Sequence, residues 1–196
     1  MDRCALASEG LALGDTAMRF NVSQLLKSAI GAGRQCSFDE DAAELAESVP
    51  FVGRVAGRAR LMRTNRGVLT HIEASAEVRL ACSRCLEQFV ASVHLDFHEE
   101  YWPTVDMVTG VPLAQPEAEP GFVIGEDNVL DATEAIRQYA ILELPIKPLC
   151  RADCPGLCEV CGENLNTGRC TCTLATTDSR WGALAQFLEP DQAIKL

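Results

Sequence analysis

Six of the chain's ten cysteines, Cys150, Cys154, Cys158, Cys161, Cys170 and Cys172, fall in one stretch, LCRADCPGLCEVCGENLNTGRCTC. Its GENLNTGRC portion has only Leu165 to bury, so apolar packing alone cannot fold it. Either disulfides or a metal must draw the sulfurs together, and the compartment decides which. The opening MDRCALASEGLALGD does not read as a secretory leader, because Glu9 and Gly10 break its apolar stretch and only Arg3 precedes it with positive charge. No run approaches the roughly 18–20 apolar residues of a membrane span. The chain is therefore expected to be cytoplasmic, away from membranes. In a reducing compartment clustered cysteines hold metal or do redox work more often than they form stable disulfides.

Zinc takes four thiolates in a tetrahedron, and C-x-x-C presents two of them from one tight turn. A single C-x-x-C is weak, since redox sites use it too. This chain has two, Cys82/Cys85 and Cys158/Cys161, together with a C-x-x-x-C (Cys150/Cys154) and a C-x-C (Cys170/Cys172). Setting aside the isolated Cys4 and Cys36 leaves eight thiols, enough for two four-cysteine sites. Cys158, Cys161, Cys170 and Cys172 are near enough to close around one ion. Cys150 and Cys154 then need Cys82 and Cys85. The competing partition gives one ion Cys150, Cys154, Cys158 and Cys161 and leaves Cys82/Cys85 as a free dithiol. The expected cofactor is zinc, two ions, with an iron–sulfur cluster as the other occupant that four thiolates accept. Four thiolates close the shell and leave no position for activating water, so a catalytic ion is not expected.

The even positions from Val68 to Leu80 (Val68, Thr70, Ile72, Ala74, Ala76, Val78, Leu80) alternate with His71, Glu73, Ser75, Glu77 and Arg79, the period of a half-buried strand. Phe89, Ala91, Val93, Leu95 and Phe97 repeat it against His94, Asp96 and His98. Two such runs joined by CSRCLEQ read as an antiparallel hairpin with Cys82 and Cys85 at its tip. Arg54 to Arg63 is a third strand with arginines on its wet face. FNVSQLL reads as a strand entering a helix capped by Ser23, and DEDAAELAESV as a solvated acidic helix or loop. Four prolines between Pro103 and Asn128 mark an irregular connection, part of it mobile. DATEAIRQYAILEL opens with a capping box, Asp131 and Glu134, and Pro145 stops it. DSRWGALAQFLEP offers a short terminal helix. The expected architecture is α+β: an antiparallel sheet with a central hairpin, a packed helix and a C-terminal cysteine-rich zinc segment. Residues 1–148 form the α+β domain, with its mobile loop at 103–128, and 149–196 the cysteine-rich segment.

The net charge of −11 argues against a general polyanion binder. Eight thiolates holding two zinc ions would make the chain more acidic still. Between Pro50 and Cys85, however, seven arginines face two acids, Glu73 and Glu77. Arg54, Arg58, Arg60, Arg63, Arg66 and Arg84 are the candidate phosphate contacts, although arginines along a strand are more often a solvated face. His71, His94 and His98 have the spacing of exposed histidines rather than of a site. No hydrolase or phosphate-loop signature occurs.

CSRCLEQF after a strand, LELPIKPLCRADCPGLCEVCGENLN with CTC, the closing DSRWGALAQF and the early FNVSQLLKSAIGAG together resemble the YceD family. The resemblance covers most of the chain, least between Ser37 and Pro50 and through 103–128. It implies a part in accumulation of large-subunit (23S) ribosomal RNA, and it carries over no catalytic residue. The implied function is non-enzymatic: support of ribosomal RNA accumulation and large-subunit assembly, with ribosomal RNA, a large-subunit ribosomal protein, or both as partners. Scarce aromatic residues, 6% of the chain, speak against sequence-specific reading of single strands. The rival class is a thiol or zinc redox-regulated protein acting through Cys82/Cys85.

Overall fold

The structure is a computed structural model that describes residues 18–42, 45, 49–107, 109–113 and 121–173. Among the described residues nine elements follow in order: β1 (Arg19–Asn21), α1 (Ser23–Lys27), β2 (Gly33–Asp41), β3 (Phe51–Arg63), β4 (Val68–Ala81), β5 (Gln88–Pro103), β6 (Phe122–Ile124), β7 (Val129–Asp131) and α2 (Thr133–Glu143). The main sheet has the order β2-β3-β4-β5-β6, and a separate ribbon pairs β1 with β7. β2 through β5 are antiparallel to their neighbours, and β6 joins the edge parallel to β5.

Alternating side chains decide which sheet face is covered. On β4, Val68, Ile72, Ala74, Ala76 and Val78 are buried with Thr70, whose hydroxyl donates to the Glu99 carbonyl at 3.0 Å. That bond removes the cost of burying an unpaired hydroxyl. Val55, Ala59 and Leu61 of β3 and Val93, Leu95 and Phe97 of β5 face the same way. Over this face lie Phe20, Leu25, Leu26, Leu130, Ala135, Ile136 and Ala140, from the ribbon and the two helices, in one core. Each large aliphatic or aromatic side chain so buried contributes about 1.5–3 kcal/mol. Tyr139 of α2 stacks on Phe97 at 4.0 Å and donates its hydroxyl to Glu99 Oε1 at 2.8 Å, fixing α2 on β5. The other face remains polar.

The fold departs from the sequence reading at its least apolar segments. Gly33–Asp41 is a strand, although only Cys36 and Phe38 of it are buried and its other residues resemble a loop. The acidic stretch that follows is not wholly solvated, because Leu45 and Val49 reach the core. The supposed irregular connection contains β6, and Val105 bridges Pro112. Both helix caps also differ. The first helix has Val22 at its N-cap with no side-chain cap, and Ser23, its first residue, is instead tied to Asn21, whose Oδ1 accepts from the Ser23 amide at 3.1 Å and hydroxyl at 2.6 Å. Asp131 accepts from the Thr133 amide at 2.9 Å, but Glu134 turns to Arg137 and Gln138 instead of closing a capping box. The helix expected in DSRWGALAQFLEP lies outside the described residues.

Candidate metal centre

Two turns with the same backbone plan present the C-x-x-C pairs. After β4, the Leu86 amide donates to the Cys82 carbonyl at 2.9 Å, and the Cys82 amide to the Glu87 carbonyl at 2.8 Å. In the tail, the Gly162 amide donates to the Cys158 carbonyl at 2.9 Å, and the Cys158 amide to the Glu163 carbonyl at 2.8 Å. Such turns require the residue after the second cysteine to be left-handed: Gly162 has φ 75° and Leu86 has φ 62°. Glycine adopts this at no steric cost, whereas a leucine there is strained. Leu86 is also 67% exposed, so its side chain contributes little burial in return. Leu86→Gly will therefore stabilise the fold by about 0.5–1 kcal/mol in a denaturant titration. A loss of stability would mean that the leucine side chain is packed after all.

The four sulfurs of Cys82, Cys85, Cys150 and Cys154 lie within 4.8 Å of one another. Cys82 Sγ is 3.8 Å from Cys154 Sγ, and Cys85 Sγ is 3.7 Å from Cys150 Sγ. All four are free thiols. A disulfide would hold two sulfurs at about 2.05 Å. A tetrahedral ion with bonds of about 2.3 Å would hold them about 3.8 Å apart. The observed separations fit the second. Backbone contacts bring the two halves together: the Ser83 amide donates to the Pro148 carbonyl at 2.8 Å and the Leu157 amide to the Arg84 carbonyl at 3.2 Å. Arg84 Nη1 donates to the Cys154 carbonyl at 2.9 Å. Phe89, Leu149 and Leu157 pack around the buried sulfurs as a small cluster apart from the main core. Gly156 has φ 79°, and a Cβ there would stand 3.1 Å from the Arg84 carbonyl oxygen.

Cys158, Cys161, Cys170 and Cys172 form the second tetrad, again with all sulfurs within 4.8 Å. The structure thus groups Cys150 and Cys154 with Cys82 and Cys85, not with Cys158 and Cys161. The tail between its cysteines also reaches the first tetrad. Asn166 Nδ2 donates to Cys154 Sγ at 3.4 Å, and the Leu165 amide to the Gly156 carbonyl at 3.0 Å. Nothing in the spacing of the cysteines signals Asn166. Its place follows from the 164–168 turn, in which the amides of Thr167 and Gly168 donate to the Asn164 carbonyl.

The electrostatics suit a cation. Burial opposes the Cys82 thiolate, yet donation from the amides of Cys150, Cys85 and Arg84 outweighs it and lowers the pKa to about 6. Cys158 is lowered to about 6 by the amides of Cys161 and Val160 and by the Cys170 thiol. Asn166 lowers Cys154, against the effect of burial. Their neighbours move the other way: burial and the adjacent sulfurs push Cys150 to about 12, and Cys161 pushes Cys172 to about 12. Four sulfurs this close repel one another once ionised, and a divalent cation at their centre removes that conflict. The donor set, four thiolates in a tetrahedral cage, fits zinc. Each tetrad can hold one ion in a closed shell.

The arginines expected to meet phosphate are placed on the polar face or at strand ends, and several have partners. Arg54 Nε pairs with Asp39 at 2.6 Å, and Arg60 Nη2 with Glu73 at 3.7 Å. Arg66 pairs with Glu100 at 3.3 Å and lies over the Trp102 ring. Arg63 Nη1 donates to the Gly67 carbonyl at 2.8 Å, and Arg84 braces the first tetrad. Arg58 is exposed, in register with Glu73.

Both tetrads fall inside one family match: a model described as large ribosomal RNA subunit accumulation protein YceD aligns with residues 70–188. The chain belongs to the YceD family. An uncharacterized protein of Mycobacterium tuberculosis is 33% identical over 135 residues, 67% of this chain and 61% of its own length. An uncharacterized protein of Mycobacterium leprae is 28% identical over 135 residues, 67% of this chain and 58% of its own length. A chloroplastic protein of Arabidopsis thaliana, named as a large ribosomal RNA subunit accumulation protein and YceD homolog, is 25% identical over 143 residues, 59% of this chain and 42% of its own. The chain spans at most 61% of the length of these relatives. No solved structure matches it.

Proposed function

We propose that this protein is a non-enzymatic factor that supports accumulation of 23S ribosomal RNA and assembly of the large ribosomal subunit, with zinc in both tetrads. The observation that carries this reading is the family match lying across both four-sulfur cages. Zinc held by Cys82, Cys85, Cys150 and Cys154, and by Cys158, Cys161, Cys170 and Cys172, supplies folding energy rather than chemistry, since four thiolates leave no open position. The polar sheet face carrying Arg54, Arg58 and Arg60 is then the surface for RNA phosphates, while a basic ribosomal protein would meet the acidic surface of a chain with net charge −11. Because Arg54 and Arg60 already pair with Asp39 and Glu73, RNA contact there exchanges existing ion pairs and contributes modestly per arginine. The proposed place of action is the cytoplasm. Among the described residues no helix is long and apolar enough to cross a membrane.

A redox role through a free Cys82/Cys85 dithiol has less support, because those sulfurs stand 3.7–3.8 Å from Cys150 and Cys154. The triple substitution of Arg54, Arg58 and Arg60 by alanine will weaken cosedimentation with ribosomal RNA or precursor particles several-fold at low salt. The deficit will shrink as salt rises, since phosphate contacts release counterions. Unchanged cosedimentation at low salt would remove this strand from the interface.

A further inference from the structure

All three histidines of the chain lie on the polar face of the sheet, and the spacing of the sequence alone reads them as separate exposed side chains. The register of β4 and β5 alters that reading. His71 stands directly opposite His98, and the two-residue period brings Asp96 to the same face beside them. The imidazole rings are stacked, with centroids 4.1 Å apart and planes 5° from parallel. His71 Nε2 is 2.8 Å from Asp96 Oδ1, so a carboxylate already orients one ring. One donor atom from each of the three residues lies within 4.8 Å of the others. The cation next in register, Arg60, is turned to Glu73 at 3.7 Å and does not take the Asp96 carboxylate.

We propose that His71, His98 and Asp96 form a third metal site, one that takes a divalent transition ion and is separate from the cysteine tetrads. Two imidazoles and a carboxylate are the donors of zinc and its first-row neighbours rather than of calcium or magnesium. Bonds of about 2.0–2.2 Å ask for donor separations near 3.3 Å. His98 and Asp96 are exposed, and the site asks their side chains to rotate to close that gap. Three protein ligands leave positions for water or another exogenous oxygen, which distinguishes this site from the closed tetrads. It is also remote from them. His71 lies eleven residues along β4 from Cys82, about 35 Å of extended chain. Loading one therefore does not require the other, and the proposal stands apart from any part played in ribosomal RNA accumulation.

The test uses the full chain with both tetrads saturated with zinc, titrated with further Zn²⁺ while the imidazole resonances are followed by NMR. The expected result is a third equivalent, removed by a mild chelator that leaves the first two in place. It shifts the His71 and His98 rings more than the His94 ring. His98→Gln and Asp96→Asn will each weaken that third equivalent at least tenfold while both tightly held ions remain, which reports an intact fold. Saturation at two equivalents with unmoved rings overturns the proposal. So does a third ion whose affinity ignores both substitutions.

Discussion

With both tetrads loaded as proposed, a strong chelator will unfold the segment from Cys150 to Cys172 and leave the sheet standing. The reason lies in how burial is divided. The sheet and α2 share one continuous apolar core, while among the described residues the segment from Cys150 to Cys172 has only a small cluster of sulfurs with Phe89, Leu149 and Leu157. A structural zinc site supplies roughly 10–16 kcal/mol of apparent binding free energy, as large as the stability of a whole domain. No contact in the tail approaches that. Amide exchange should therefore lose protection at Leu157, Gly162 and Leu165 when a strong chelator is added, with the β4–β5 amides unchanged. Cys158→Ser should drop metal content from two ions to one and unfold the second loop only. Cys82→Ser should release the tail from the sheet. A chelated protein retaining slow exchange at Gly162 and Leu165 would refute the idea that metal folds the segment.

Gly67→Ala will destabilise the sheet by about 3 kcal/mol, because the added carbon has nowhere to go. A Cβ at that position would stand 2.0 Å from the Tyr101 carbonyl oxygen and 3.0 Å from its carbon. The obstacle is backbone, and Tyr101 is fully buried opposite Val68, so no flexible side chain can yield. Gly33→Ala is the control. Its nearest atom is the Leu61 carbonyl oxygen at 3.6 Å, ordinary contact, and it should change stability by only a few tenths of a kcal/mol. For a chain of this size the first substitution should lower the melting temperature by about 6–12 °C. Equal melting temperatures for the two variants would contradict the close approach of Gly67 to Tyr101.

What could be read in the sequence was whatever repeats. The alternation over Val68–Leu80 and Phe89–Phe97 gave both long strands, because a half-buried sheet imposes period two on its residues. Eight paired cysteines divide into two fours by counting, and the structure groups them that way. What escaped was set by partners distant in the chain. β2 has two buried residues and becomes a strand only because β3 lies beside it from Gly33↔Met62 to Asp41↔Arg54. β6 has three residues and owes its existence to the edge of β5. The arginines read as a basic face, but their carboxylates come from neighbouring strands: Asp39 for Arg54, Glu73 for Arg60, Glu100 for Arg66. The stacking of His71 on His98 likewise depends on register, which composition does not reveal.

The first tetrad joins positions 72 residues apart, Cys82 to Cys154, and 65 apart, Cys85 to Cys150. A bound ion there acts as a clasp on a long loop, restricting the denatured chain much as a disulfide of similar span does, by about 4 kcal/mol. Unlike a disulfide, it opens to a chelator and withstands a reductant. A chain cut between Trp102 and Gly121 would then have its two fragments tied twice, by four sulfurs and by the core that β6, β7 and α2 share with the sheet, and withdrawing the metal would release the first tie alone.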